Sequence, residues 1–227
     1  MYHSELKIGN NMDIVCFDME GTLTPEIWEQ VALDTGIEGL DKTTRDIPSY
    51  ADLMDYRLEI MKKHSLKLTD ILNATKKLDL LDGALDFLNE VRREFQVVIL
   101  SDTFHEIAYP LMEKMGYPLL LCHKLDVDEH GNILGYKLRD SKAKRQAILG
   151  FQSMGYRCLA AGDSFNDLQM FEVANKGFFI NTMLYTYGGL SFFIPSSSYL
   201  NLLYVFATLF NNSSLSLPFF AILSFAY

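Results

Sequence analysis

The sequence predicts an α/β fold, a parallel sheet wound on both faces, with a small all-helical segment inserted after the first strand. Three observations carry this. Short continuous apolar runs, the pattern of strands buried on both sides, recur along the chain. Helical stretches of ten or more residues separate most of them, which forces parallel pairing through crossovers. The unusual polar residues fall at the carboxyl ends of those runs, where ligands sit in open α/β sheets.

The elements follow in order. Asp13–Phe17 reads as the first strand. After Pro25 the pattern turns helical, with helices expected over Ile27–Thr35, Tyr50–His64 and Thr69–Lys77, broken by the polar "DKTTRDIPSY". "LLDGALDFLNEVRREF" reads as a helix with Asp82 as N-cap. "QVVIL" is a strand ending at Ser101, then come helix Phe104–Met115 and strand Leu119–Cys122. "DVDEHGNILGYKL" alternates around a Gly-Asn turn and reads as a hairpin. Helix Ala143–Met154, strand Cys158–Ala161, helix Phe165–Ala174 and strand Gly177–Ile180 complete the readable part.

At 227 residues the chain can hold one substantial core and a small accessory domain. The expected division is 1–24 with 81–181 as catalytic core, 25–80 as helical cap, and 182–227 as an atypical segment. A net charge of −9 argues against a nucleic-acid binder, which needs a basic stripe. The three cysteines, Cys16, Cys122 and Cys158, lack metal or CxxC spacing and read as reduced thiols. With no apolar leader pattern at the N-terminus, a cytoplasmic protein is expected. The last segment differs from the rest, because all 20 basic and 29 acidic residues precede Thr182. Its two apolar runs, Tyr199–Phe210 and Leu215–Tyr227, are shorter than the ~20 residues that cross a bilayer. A shifted reading frame or altered splice, an ordinary apolar end, and a membrane-associating tail all fit that composition.

Chemistry gathers at the strand ends. Asp18 and Glu20 close the first strand, Ser101 the second, and Asp163 and Asp167 follow "CLAA"; Lys144 opens the helix before that strand. Four carboxylates at one sheet edge raise one another's pKa unless cations neutralise them. Lys144 supplies one charge, and a hard divalent ion, Mg²⁺, most economically supplies the rest, with Asp18, Glu20, Asp163 and Asp167 as its set. Carboxylates around Mg²⁺ with one lysine and one hydroxyl point to phosphoryl transfer. One acid, Asp18, bonds phosphorus, and the other, Glu20, moves protons.

With these residues in place, the chain resembles the haloacid dehalogenase-like phosphatases. Their DxDxT motif appears as Asp18-Met19-Glu20-Gly21-Thr22, and the motif-two hydroxyl as Ser101 of "VVILSDT". The motif-three lysine is Lys144 of "AKRQAI", and GDSxxD is Gly162–Asp167. All four stand in family order. The resemblance implies a Rossmann-like core and, from the helical insertion between motifs one and two, the cap of the phosphoserine phosphatase branch. There Glu26 and Arg57 take the places that hold substrate amine and carboxylate, while Ser101, Asp102, Lys144 and Asn166 surround the phosphoryl end. Glu20 in place of the usual Asp, Asp102 in place of the usual Gly, and "TTRDIP" and "LLCHKL" resemble the phosphoserine phosphatase/homoserine phosphotransferase subgroup. That implies phosphoserine hydrolysis with homoserine as a second acceptor. An impaired relative acting as a binding protein, and a membrane-associated phosphomonoesterase, are the competing classes, both prompted by residues 182–227. Trp28, His105, His123 and His130 read as packing or surface residues.

Overall fold

A computed structural model describes residues 12–180. The calls on 1–11 and 182–227 lie outside the described residues. The elements are β1 (Met12–Phe17), α1 (Ile27–Thr35), α2 (Tyr50–Lys63), α3 (Leu68–Lys77), α4 (Ala84–Glu94), β2 (Gln96–Phe104), α5 (His105–Lys114), β3 (Leu119–Val127), β4 (Ile133–Lys137), α6 (Ala143–Ser153), β5 (Tyr156–Gly162), a 3₁₀ turn (Phe165–Asp167), α7 (Leu168–Phe171) and β6 (Lys176–Phe179).

The strands form one sheet in the order β4-β3-β2-β1-β5-β6, parallel except for the β3–β4 hairpin. From β1 the chain builds outward through β2 and β3, then returns to place β5 on the other side of β1. The switch point therefore lies between β1 and β5, and open α/β sheets bind ligands above the carboxyl ends at such a point.

Alternation along the strands divides the interior into two cores. Val15 and Phe17 of β1, Ile99 of β2 and Leu159 of β5 face one way, against Phe87, Leu88 and Val91 of α4 and Ile107 and Leu111 of α5. Ile14, Cys16, Val98, Leu100, Cys158 and Ala160 face the other, against Ile148 and Phe151 of α6 and Met170. This is the doubly wound arrangement expected. Helices α1, α2 and α3 sit between β1 and β2 in the chain and extend the first core with Ile27, Trp28, Val31, Met54 and Ile71.

Several boundaries differ from the sequence reading. β2 does not stop at Ser101 but runs to Phe104, with its register against β3 shifting between Leu100 and Phe104. β3 continues through His123 into the hairpin as one strand. The α4 cap is Gly83, at φ 78°, and not Asp82; the backbone enters the helix from the left-handed region, which glycine adopts without strain. The expected helix 165–174 shrinks to a 3₁₀ turn and the four residues of α7. Its start is drawn inward because the fully buried Asp167 accepts from the Ser164 backbone N–H at 3.0 Å and from Lys144.

Candidate active site

The β1 ladder continues one residue past the strand, where the Asp18 N–H donates to Ala161 O at 2.8 Å. Asp18 is thereby fixed beside the end of β5. Met19, fully buried, then turns the chain: its carbonyl accepts from the Leu23 and Thr24 N–H groups at 2.8 and 3.0 Å and from the Thr24 hydroxyl at 3.3 Å. Gly21, at φ 77°, passes so close to Asp163 that a Cβ would overlap its carboxylate. The Thr22 hydroxyl donates to that carboxylate at 3.3 Å. Residues 18–24 thus form a tight loop seated on the loop after β5.

Lys144, in the first turn of α6, is buried and reaches across to the strand ends. Its Nζ lies 2.8 Å from Asp18 Oδ1, 2.7 Å from Asp167 Oδ1 and 3.6 Å from Asp102 Oδ2. Burial alone would lower its pKa, but Asp167, Asp18 and Asp102 hold it well above the usual lysine value. One ammonium divided among three carboxylates does not balance them. Burial, then repulsion from Asp167, raises Asp18 despite Lys144; burial, Asp167 and Glu26 raise Asp163 to about 7.

Asp18, Asp163 and Asp167 each present a carboxylate oxygen within 4.8 Å of the others. Three hard anionic oxygens with unbalanced charge are the donor set that a hard divalent cation takes. Of the four carboxylates expected together, Glu20 does not join this cluster. Its Oε1 accepts the Ile27 N–H at 2.9 Å, at the amino end of α1, where the helix favours a negative group. Burial nevertheless raises its pKa, against that hydrogen bond, Arg57, Lys144 and the Thr103 hydroxyl. The Thr103 hydroxyl bears on Glu20 without closing a hydrogen bond of its own. Glu20 is thus a carboxyl that holds its proton more readily than usual, two residues from Asp18.

Ser101 is buried in β2, its Oγ accepting the Thr103 N–H at 3.2 Å. Asp102 follows it and faces Lys144. Asn166 turns its amide to the Thr44 hydroxyl at 3.2 Å, tying the loop after β5 to the segment before α2. Arg57 of α2 is buried and lies over the Trp28 ring, 4.5 Å from its centroid, with Nη2 donating to Lys42 O at 2.6 Å. Its Nε has no partner among the described residues. Burial depresses the Arg57 pKa, with Tyr50, Glu20 and Glu26 opposing. Glu26 is pushed up to about 7 by burial and by Glu20 and Glu29, against Arg57 and Arg45. Both residues therefore bear on the same interior as Glu20.

Three contributors escaped the sequence reading. Trp28, read as packing, floors the Arg57 guanidinium. The Tyr50 hydroxyl donates to the Asp102 carbonyl, and His123 stands beside the Asp102 carboxylate. Each meets its partner across a long sequence separation, and no local spacing signals such contacts.

Two acids at one strand end, a buried lysine and an acidic loop thus gather above the switch point. The chain belongs to the haloacid dehalogenase-like hydrolases, whose family model matches residues 12–175. It is 51% identical over 166 residues to phosphoserine phosphatase ThrH of Pseudomonas aeruginosa, a match covering 73% of this chain and 81% of that one. It is equally identical over 166 residues to a phosphoserine phosphatase of Pseudomonas syringae pv. tomato, covering 73% and 70%. Among solved structures, a substrate-bound phosphoserine phosphatase complex shares the fold at TM-score 0.71 and 18% identity, covering 87% of this chain and 99% of that one. A phospho-aspartyl intermediate analogue of phosphoserine phosphatase superposes at TM-score 0.65 and 20% identity, covering 76% and 88%.

Proposed function

We propose that the protein is a Mg²⁺-dependent phosphoserine phosphatase working through an aspartyl-phosphate at Asp18, and that it also transfers the phosphoryl group to homoserine. The observation that carries the reading is the buried Lys144 ammonium 2.8 Å from Asp18, next to an acidic cluster it cannot balance. In the first step an Asp18 carboxylate oxygen bonds phosphorus as the P–O bond to the serine oxygen breaks. Glu20 gives its proton to that leaving oxygen. In the second step Glu20 takes a proton from water, or from the homoserine hydroxyl, as that oxygen bonds phosphorus and Asp18 departs. Lys144 and the Ser101 hydroxyl neutralise and orient the phosphoryl oxygens, and Asn166 borders them. Asp18, Asp163 and Asp167 would hold Mg²⁺, which would supply positive charge to keep Asp18 ionised and to offset the negative charge of the phosphoryl oxygens.

The helices 25–80 act in this reading as a cap that reads the amino-acid part of the substrate. Arg57, with a buried N–H lacking a partner, takes the carboxylate, and Glu26 takes the ammonium. Asp102 completes the substrate surround beside Lys144. Among the described residues no helix is long and apolar enough to cross a membrane, and the three thiols are free. A cytoplasmic enzyme acting on small molecules is the reading these support. The test is phosphate release from phosphoserine with and without Mg²⁺, and with homoserine added, followed by identification of the products. Release that is unchanged by metal removal, or no release from phosphoserine where other esters react, overturns it.

A further inference from the structure

We propose that His123, which lies outside the four family motifs, is a positioning residue that sets Lys144 through Asp102. Its ring is buried in β3 between Tyr50 and Phe104, whose centroids lie 5.7 and 6.1 Å away. Nδ1 accepts the backbone N–H of Arg139 at 3.1 Å. A backbone N–H can only donate, so Nδ1 carries the lone pair and the ring proton sits on Nε2. That nitrogen lies 3.7 Å from Asp102 Oδ1. With Nδ1 accepting from Arg139, the group that faces the Asp102 carboxylate is the Nε2–H.

Both ends of the ring lead to the same lysine. On one side Asp102 Oδ2 stands 3.6 Å from Lys144 Nζ, while the Tyr50 hydroxyl donates to the Asp102 carbonyl and pins its backbone. On the other side Arg139 donates through its guanidinium to Ala143 O at 2.6 Å, one residue before Lys144. The Asp102 side chain is about one-third exposed, and without a fixed donor it is free to swing toward solvent. Held by His123, it is the third carboxylate on the Lys144 ammonium and fixes where that charge meets the phosphoryl group.

The proposal rests on Lys144 acting on a phosphoryl group, not on phosphoserine being the substrate. The test is a double-mutant cycle between His123 and Asp102, read on phosphoserine, on p-nitrophenyl phosphate and by calorimetric affinity for inorganic phosphate. His123→Asn keeps an acceptor for the Arg139 N–H but loses the donor toward Asp102; His123→Gln restores a donor there. We expect His123→Asn and His123→Leu to lose about 5-fold in kcat/KM, below the scale of a full hydrogen bond to a charge because the contact is 3.7 Å, and His123→Gln to recover most of it. In an Asp102→Asn background His123→Leu should cost less than about 2-fold more. Equal losses in both backgrounds, or full activity in His123→Asn, overturn the proposal. If His123 variants fail to fold, the ¹⁵N shift of the native His123 Nε2 decides: it should move on Asp102→Asn, and an unmoved signal overturns the proposal. Turnover of p-nitrophenyl phosphate without turnover of phosphoserine would reject the substrate reading and leave this cycle fully readable.

Discussion

Acid and base meet at each end of the β1–β5 strand pair, and the two ends are built differently. At the amino end Asp13 and Arg157 are register partners, joined by a two-pronged bridge at 2.6 and 2.8 Å. The arginine side chain is 40% exposed and the charges match one to one. At the carboxyl end Lys144 is buried and faces Asp18, Asp102 and Asp167, with Asp163 beside them. The first end is a half-exposed pair of one acid and one base at the surface. The second needs further positive charge, which a bound cation would bring.

Breaking the second end should have the largest effects. Asp18→Asn should lower turnover by at least about 10⁴-fold, the scale seen on removing one member of a catalytic set, because an amide does not attack phosphorus. Single-turnover phosphate release checks this, and activity near wild type would sink the mechanism. Lys144→Met should cost about 3–5 kcal/mol of stability near neutral pH by leaving buried carboxylates unpaired. Arg157→Ala should cost under about 1 kcal/mol, being a half-exposed pair. Chemical denaturation of the two variants sharpens the contrast, and equal losses would dissolve it.

The next effect is on selectivity. Arg57→Ala should penalise phosphoserine by roughly 10- to 150-fold, the worth of about 1.5–3 kcal/mol in one charged hydrogen bond. It should hardly change the hydrolysis of an ester lacking a carboxylate. Equal losses on both esters would show that Arg57 only holds α2 over Trp28.

The smallest effect reads Glu26 through pH. Its pKa rises from 4.5 to about 7 on folding, so between those values the folded state binds more protons than the unfolded state. Stability therefore falls as pH rises from 4.5 to 7 and stays lower above it. Glu26→Gln should match wild type near pH 4 and exceed it by up to about 3 kcal/mol at pH 8 without ligand. Thermal unfolding at both pH values reads it, and parallel curves would show the carboxyl is solvated.

What the sequence discloses follows the range of each interaction. Asp18, Glu20 and Asp163–Asp167 were legible because each follows an apolar run, and Lys144 because it opens a helix, both local patterns. The doubly wound order was legible because alternating strands and helices leave few topologies. The boundaries of β2 and α7 were not, since strand pairing with β3 and the inward pull on Asp167 are tertiary effects. Nor was the Glu20 contact with Ile27, which depends on how the loop enters α1. His123 and Tyr50 meet Asp102 across strands and helices, and Thr44 meets Asn166 across 122 residues. Periodicity marks such residues as inside but cannot name the neighbour.

Met19, sealed in the first core with three donors on its carbonyl, stands between the two acids. In the proposed mechanism, the span from nucleophile to proton donor is therefore gauged by an apolar side chain and a closed backbone turn, not by any contact between the acids. A substitution at Met19 that leaves the chain folded would shift Asp18 and Glu20 relative to each other. Its signature would be a miscalibrated reaction in a well-folded protein, so the tolerance of this core position is set by chemistry before it is set by packing.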